Sequence, residues 1–504
     1  MLAEDTLYMT VEELGPQLKA KKISPVELTE GYLQRLEKYG AALGAVATIT
    51  RERAMEEARA AEAEIVKGKY RGPLHGIPYG AKDLLAAKGA PTTWGAPPFK
   101  DQVFDFDATL IQKLREAGAI LVAKLAMIEL AGGGGYSSAA ASLQGASRCP
   151  FNKEHWAGGS SSGPGAAVPS ALVGFAIGSE TLGSIITPCA FSGVSGLRPT
   201  YGRVSRHGAM ALSWTMDKLG PMCRSAADCG LVMEVIAGPD PADPSSREDG
   251  AWGKRGSAVG GALWAPGKLF GGGKKDKPSL AGKKIGVIRP NFERGGDPEV
   301  AQAYAAALGV IQGLGAELRD TALPDFPYGA VATTLYQTEM AAIFRTFVES
   351  GKFQELVDEP QKIGMAAALS VPATEYLDAC RIRAKIQDAM GDVFGQFEAI
   401  VAPSRNAPAS LITADLMGGP RPPAAGEASG RPAAPPPGAG NTTNVIGSSN
   451  VAGLPAVSVP CGFTAKDLPI GIQFVAAAMR DDVCLEIAAA FQSATEWHKK
   501  RPAL

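Results

Sequence analysis

The chain has 504 residues, of which 45% are hydrophobic, and 50 basic side chains stand against 51 acidic ones. That apolar fraction excludes a disordered polymer, and the near-neutral balance removes any case for a polyanion partner held by net charge. Seven cysteines with no C-x-x-C pair fit neither a disulfide framework nor a zinc-ligand spacing, which points to a reducing compartment.

From the N-terminus, the first residues carry acids and no apolar h-region, so no signal peptide is read there. Thr10 with Glu13, and Ser24-Pro25-Val26-Glu27, are helix starts with capping chemistry. "TRERAMEEARAAEAEIVKGK" is a strong helix former that stops near Gly68, which makes residues 1–70 an N-terminal helical layer. Further on, the β-branched runs "AILVAK" (119–124), "KIGVIR" (284–289) and "EAIVAP" (398–403) alternate with helical windows such as 297–315. The pattern predicts an α/β fold with a central sheet. Residues 329–396 read as helical and as a layer covering the core. Two Gly/Pro-rich stretches, 241–283 and 418–440, read as surface insertions, because strand-like runs resume after each. The longest apolar candidate for a membrane span, Gly165 to Gly178, is short and contains Pro169, so a soluble cytoplasmic protein is expected. The basic clusters Lys19–Lys22, Lys274–Lys277 and His498–Arg501 read as solvated surface.

The stretch "AGGSSSGPGAAVPSALVGFAIGSETLGSIITP" (157–188) holds two glycine–serine clusters, the mark of close backbone approaches. It lacks the lysine of a P-loop and the G-x-G-x-x-G of a dinucleotide site. The four histidines, His75, His155, His207 and His498, have no metal-ligand spacing, and no cofactor or metal is expected. The G-x-S-x-G elbow of histidine-assisted hydrolases is also missing. A serine nucleophile then needs another base, and "GPLHGIPYGAKDLLAAKG" supplies Lys82 among apolar neighbours. Lys82 by itself reads either as an exposed strand-end charge or as a buried amine whose charged form burial disfavours.

The ordered set "GPLHGIPYGAKDLL", "GGSSSGPGAA", "GSETLGSIITPCAFSGVSGLRPTYGRVSRHGAM", "LSWTMDKLGPMCRSAADCGLVMEVIAG" and "NVAGLPAVSVPCGFTAKDLPIGIQFV" resembles the amidase signature family, the Ser-cisSer-Lys hydrolases, and its free-standing bacterial amidases. The resemblance implies a central mixed twisted sheet covered by helices on both faces. It implies one compact domain, with the signature core in 71–240, an α/β continuation in 284–440 and the last part of the sheet with the final helix in 441–504. Carried onto this chain, the nucleophile falls on Ser184, the bridging serine on Ser160 and the base on Lys82, with a cis peptide bond at Gly159–Ser160. The oxyanion hole falls on the backbone N–H groups of Thr181, Leu182, Gly183 and Ser184.

The chain departs from the family string at Leu182, where glycine is common. It departs again at Ile186, which replaces a frequent arginine whose ion pair must come from Arg198, from Arg203 or be absent. Pro164 and Pro169 predict a late or kinked helix after the bridging serine. Gly132, Gly133, Gly134, Tyr136 and Ser161 are the expected substrate-binding residues, with Trp94 and Trp214 as candidate apolar walls. Tyr336, Met340 and Phe344, four apart on one helix face, read equally as a cap over an apolar group or as plain core, and core packing is the first reading of the two tryptophans. The expected activity is hydrolysis of small hydrophobic or aryl amides through an acyl-enzyme on Ser184, extending to esters and carbamates (urethanes). The expected partner is a small molecule, with no nucleic acid and no membrane, in a monomer or homodimer. The alternatives are the glutaminase (A-type) subunit of a tRNA-dependent amidotransferase and a non-catalytic binding protein on the same scaffold.

Overall fold

Buried apolar runs bounded by turns build the centre of the molecule. "PYGAK", "ILVAKL" and "FAIGSE" form strands β2 (Pro78–Lys82), β3 (Ile120–Leu125) and β4 (Phe175–Glu180), buried at every residue. They pair in parallel, with β2 between the other two, as continuous apolar strands do when helices cover both faces. The computed structural model describes residues 2–247, 279–292, 296–416 and 441–504. The expected insertion at 418–440, the middle of the one at 241–283 and the Lys274–Lys277 cluster lie outside the described residues.

Eight further strands complete a mixed sheet of 11 strands: β1 (Val46–Ile49), β5 (Ser195–Arg198), β6 (Lys218–Cys223), β7 (Lys284–Ile288), β8 (Glu317–Thr321), β9 (Ala399–Pro403), β10 (Ala456–Phe463) and β11 (Pro469–Ala476). Their order across the sheet is β1-β3-β2-β4-β6-β5-β10-β11-β9-β7-β8. The expected strands at 119–124, 284–289 and 398–403 are β3, β7 and β9. The mixed α/β architecture expected from the sequence is therefore present. One element differs: "VATI" in the stretch expected to be purely helical is strand β1, which pairs antiparallel with β3 at the sheet edge. Four residues are too short for periodicity to declare a strand, and the free edge of β3 supplies the partner.

The helix starts are chemically explicit. Thr10 accepts from the Glu13 N–H while Glu13 reaches back to the Thr10 N–H, a capping box. Ser24 accepts from Val26 and Glu27 ahead of Pro25 at the first helical position, and its hydroxyl donates to Glu62. The long helix Arg51–Val66 ends two residues before Gly68. Residues 328–396 supply the helices Tyr328–Ile343, Arg345–Glu349, Glu359–Ala368 and Ala373–Gln396 over one end of the molecule. No helix among the described residues is long and apolar enough to cross a membrane.

The helix after the first serine cluster is short, Ser162–Ala167, and stops before Pro169, as the prolines predict. The sheet places the carboxyl ends of β2 and β4 side by side, since Tyr79, Gly80 and Ala81 pair with Phe175, Ala176 and Ile177. Antiparallel β6 starts at the same edge, with Lys218 opposite Glu180. In open α/β sheets that edge is where ligands bind.

Candidate active site

Lys82 ends β2 and Ser179 sits one residue from the end of β4, so strand pairing alone brings them to one edge. The Lys82 side chain is fully buried. Its Nζ lies 2.7 Å from Ser160 Oγ, 2.8 Å from Ser179 Oγ and 3.0 Å from Ser161 Oγ. Hydroxyls satisfy the amine without a carboxylate in contact. Burial brings the Lys82 amine down to about 7, while Asp217 and then Glu180 pull in the opposite direction. Ser161 Oγ also donates to the Ser179 carbonyl at 3.1 Å and accepts from the Ser179 N–H at 3.2 Å. Ser161, expected to bind substrate, is thus buried in the support of Lys82.

Ser184 follows β4 by four residues and, unlike Lys82 and Ser160, keeps part of its surface open to solvent. The turn that presents it is built around Gly183, whose φ of +88° is a left-handed conformation that side chains resist. The two serine clusters meet at Gly159. A Cβ there would fall 2.6 Å from Pro188 Cδ and 3.3 Å from Ser184 Cα, so only glycine lets Ser160 approach the second cluster. The expected cis bond at Gly159–Ser160 is not found: the described residues contain no cis peptide bond. Positive φ at Gly158 (+94°) and Gly159 (+53°) makes the bend instead.

Glu180 fastens the turn that carries Ser184. Its Oε2 accepts from the N–H groups of Ile185 at 2.7 Å and Ile186 at 2.9 Å, where the helix Ile186–Ser192 begins. Its Oε1 accepts from Arg198 Nη1 at 2.9 Å and Asn450 Nδ2 at 2.8 Å. Burial alone raises this carboxyl, but Arg198, Lys218 and the hydrogen bonds outweigh it and hold Glu180 at about 2. Of the two arginines considered, Arg198 is the one paired with Glu180. Arg203 lies instead 3.6 Å from Asp481. The N–H groups of Leu182, Gly183 and Ser184 donate no hydrogen bond within the described residues. Among those residues no cluster of three His, Cys, Asp or Glu is placed to hold a metal ion.

Other sequence-predicted residues are placed differently. A Cβ at Gly134 would fall 2.1 Å from the Gln361 carbonyl oxygen, and one at Gly133 would lie 3.0 Å from Leu212 and Met340, so the chain itself fills the room these glycines leave. Tyr136 packs edge-on against Trp156. Trp94 packs with Phe99, Phe104 and Phe344, whereas Trp214 is exposed. Met340 and Phe344 belong to the core, with Tyr336 half-buried beside them. Sequence reasoning missed Ser179, Asp217 and Asn450. The signal for the first two was polar residues closing or opening otherwise apolar strands, "FAIGSE" and "DKLGPMC".

A buried lysine bonded to a serine, and a second serine at a solvent-open turn, thus lie on the carboxyl edge of a mixed sheet. The chain belongs to the amidase family, whose model, described as Amidase, matches residues 27–485. It is 34% identical over 99% of its length to 99% of the A-type subunit of the Glutamyl-tRNA(Gln) amidotransferase of Moorella thermoacetica. It is also 34% identical, over 98% of its length and 99% of the relative, to the protein of the same name from Ralstonia pickettii (strain 12J). Among solved structures it resembles the native peptide amidase of Stenotrophomonas maltophilia, with a TM-score of 0.79 and 27% identity over 98% of both chains.

These relatives overturn two expectations. The first is a small hydrophobic or aryl amide, ester or carbamate as substrate, since the two relatives at 34% identity are amidotransferase subunits. The second is the absence of a nucleic-acid partner in a monomer or homodimer, since their name specifies a tRNA and marks each of them as a subunit. The structure also removes the cap and one of the walls expected for such a substrate. Met340 and Phe344 of the supposed aryl cap are core residues, and Trp94 packs against the chain's own aromatic rings.

Proposed function

We propose that this chain is the glutaminase subunit of a tRNA-dependent amidotransferase, hydrolysing the side-chain carboxamide of glutamine so that ammonia passes to a partner. The observation that carries it is the match, 34% identical over 99% of both chains, to the A-type subunit of a Glutamyl-tRNA(Gln) amidotransferase. The contact of Lys82 with Ser160 at 2.7 Å supports the chemistry.

Neutral Lys82 takes a proton from Ser160 while Ser160 takes one from Ser184, and Ser184 Oγ bonds to the carboxamide carbon. The carbonyl oxygen becomes an oxyanion facing the N–H groups of Thr181, Leu182, Gly183 and Ser184, each such donor adding about 10²–10³ in rate. The C–N bond breaks as the proton returns along Lys82 and Ser160 to the nitrogen, which leaves as ammonia. Water then gives a proton to the same relay, its oxygen bonds to the acyl carbon, and Ser184 recovers its proton as the acid leaves.

The test incubates glutamine with the chain alone and with the partner subunits of its amidotransferase, with Ser184→Ala as control. Glutamate and ammonia are expected in equal amounts with the partners present, and γ-glutamyl hydroxamate when hydroxylamine intercepts the acyl-enzyme. Failure to release ammonia from glutamine in the assembled complex, with Ser184 intact, would overturn the reading.

A further inference from the structure

We propose that Asp217 is a positioning and charge-tuning residue for the Lys82 base and, through Thr181, for the turn that presents Ser184; this deepens and rests on the reading of those residues as the catalytic group. Asp217 lies just before β6, at the sheet edge where β2 and β4 end. Its carboxylate is fully engaged by neutral donors. Oδ1 accepts from Thr181 Oγ1 at 2.6 Å, and Oδ2 accepts from the N–H groups of Leu212 at 2.7 Å and Ser213 at 2.9 Å. Thr181 opens the run of N–H groups leading to Ser184. A cavity of about 140 Å³, lined by Leu84, Ser179, Thr181, Met210, Leu212 and Asp217, connects this carboxylate to the serine that holds Lys82.

The segment carrying these donors is itself fastened from the helical layer. Buried Glu339 accepts from Ser213 Oγ at 2.5 Å, Thr215 N–H at 3.1 Å and Thr215 Oγ1 at 2.7 Å, and Tyr376 OH donates to it at 3.0 Å. Hydrogen bonds therefore run from Glu339 through Ser213 and Asp217 to Thr181.

The charges around Asp217 decide its effect. Glu180, on β4, is matched in contact by Arg198. Lys218, on β6, donates to Asn450 Oδ1 at 2.7 Å. Arg206 lies 3.7 Å from Asp243, and Arg383 donates to the Thr215 carbonyl at 2.8 Å. Among the described residues no cation is in ion-pair contact with Asp217, whereas Glu180 has Arg198; burial raises the Asp217 carboxyl, and the hydrogen bonds from Thr181, Ser213 and Leu212 and the more distant charge of Arg206 act against that rise. A buried negative charge favours the ammonium form, and Asp217 thereby delays the appearance of the free amine as pH rises.

The experiment follows the rate at which an organic fluorophosphonate labels Ser184 across pH 5 to 10, a readout that needs no particular amide. Asp217→Asn is expected to move the acid limb of the labelling profile to lower pH by about one unit. Asp217→Glu, which keeps the charge, leaves the limb in place. Thr181→Val removes the hydrogen bond but not the charge; it is expected to slow labelling about tenfold, the size of one hydrogen bond to a charged group, with the limb unmoved. Should Asp217→Asn not fold, Asp217→Ser reads the same limb. A limb unmoved in a folded neutral variant overturns the tuning role, and an unchanged labelling rate in Thr181→Val overturns the positioning role. If the limb moves while wild type releases no ammonia from glutamine, the substrate reading falls and this inference stands.

Discussion

Two buried lysines on adjacent strands meet opposite fates. Lys82 on β2 and Lys124 on β3 are both fully buried. Lys124 Nζ is 2.9 Å from Asp83 Oδ1 and 2.8 Å from Thr92 Oγ1, so its ammonium is paired inside the core. Lys82 meets only hydroxyls, at 2.7 to 3.0 Å. Burial pushes both amines down, but at Lys124 the carboxylate of Asp83 works against it through charge and a direct hydrogen bond. At Lys82 the opposing carboxylates act without contact, and the amine settles at about 7. Burial alone therefore does not make a base; the first neighbours decide whether a buried lysine holds structure or moves protons.

The comparison breaks most sharply in exchange experiments. Lys82→Met is expected to lower kcat by about 10²–10⁴-fold, the range for a general base, without destabilising the fold. Lys124→Met is expected to do the reverse: it leaves Asp83 as an unpaired buried charge and destabilises by about 3–5 kcal/mol in denaturant titration. Pairing it with Asp83→Leu should restore much of that loss. Equal catalytic loss in both lysine variants at unchanged stability would erase the distinction.

Stability against pH sharpens the contrast. Lys82 has a folded value near 7, below its ordinary 10.5, so between these pH values the unfolded chain binds the additional proton. The burden of burying Lys82 is full below pH 7 and is relieved as pH rises from 7 toward 10.5. The stability advantage of Lys82→Met over wild type should therefore shrink by a few kcal/mol across that window, read from chemical denaturation at each pH. An advantage that grows with pH would reverse the sign and refute a depressed amine. The smallest effect is local. Gly183→Ala forces a Cβ onto a φ of +88° and should destabilise by about 1–2 kcal/mol while displacing Ser184.

How much was legible beforehand varies along the chain. The strands at 119–124, 284–289 and 398–403 were, because β-branched runs between helical windows leave little else for them to form. Strand β1 was not, since "VATI" becomes a strand only against β3. Lys82, Ser160 and Ser184 were named from motifs, yet Lys82 alone read first as an exposed strand-end charge, and only the sheet shows it enclosed. The stripe at Tyr336, Met340 and Phe344 left cap and core equally open, because spacing shows which residues share a helix face and not what that face meets; the structure puts Met340 and Phe344 in the core.

By itself, the sequence determined the elements, the glycines that permit close approach and the residue types able to carry acyl transfer, because these depend on local backbone sterics and side-chain chemistry. The tertiary structure decided which lysine met a carboxylate and which met hydroxyls, that Arg198 pairs with Glu180 behind the turn carrying Ser184, and that Asp217 bonds Thr181 with no cation in ion-pair contact among the described residues. Those outcomes depend on groups up to 270 residues apart, such as Asn450 on Glu180, brought within bonding distance by strand order. Electrostatics in a dry interior follows distance in space, which the order of residues along the chain does not state.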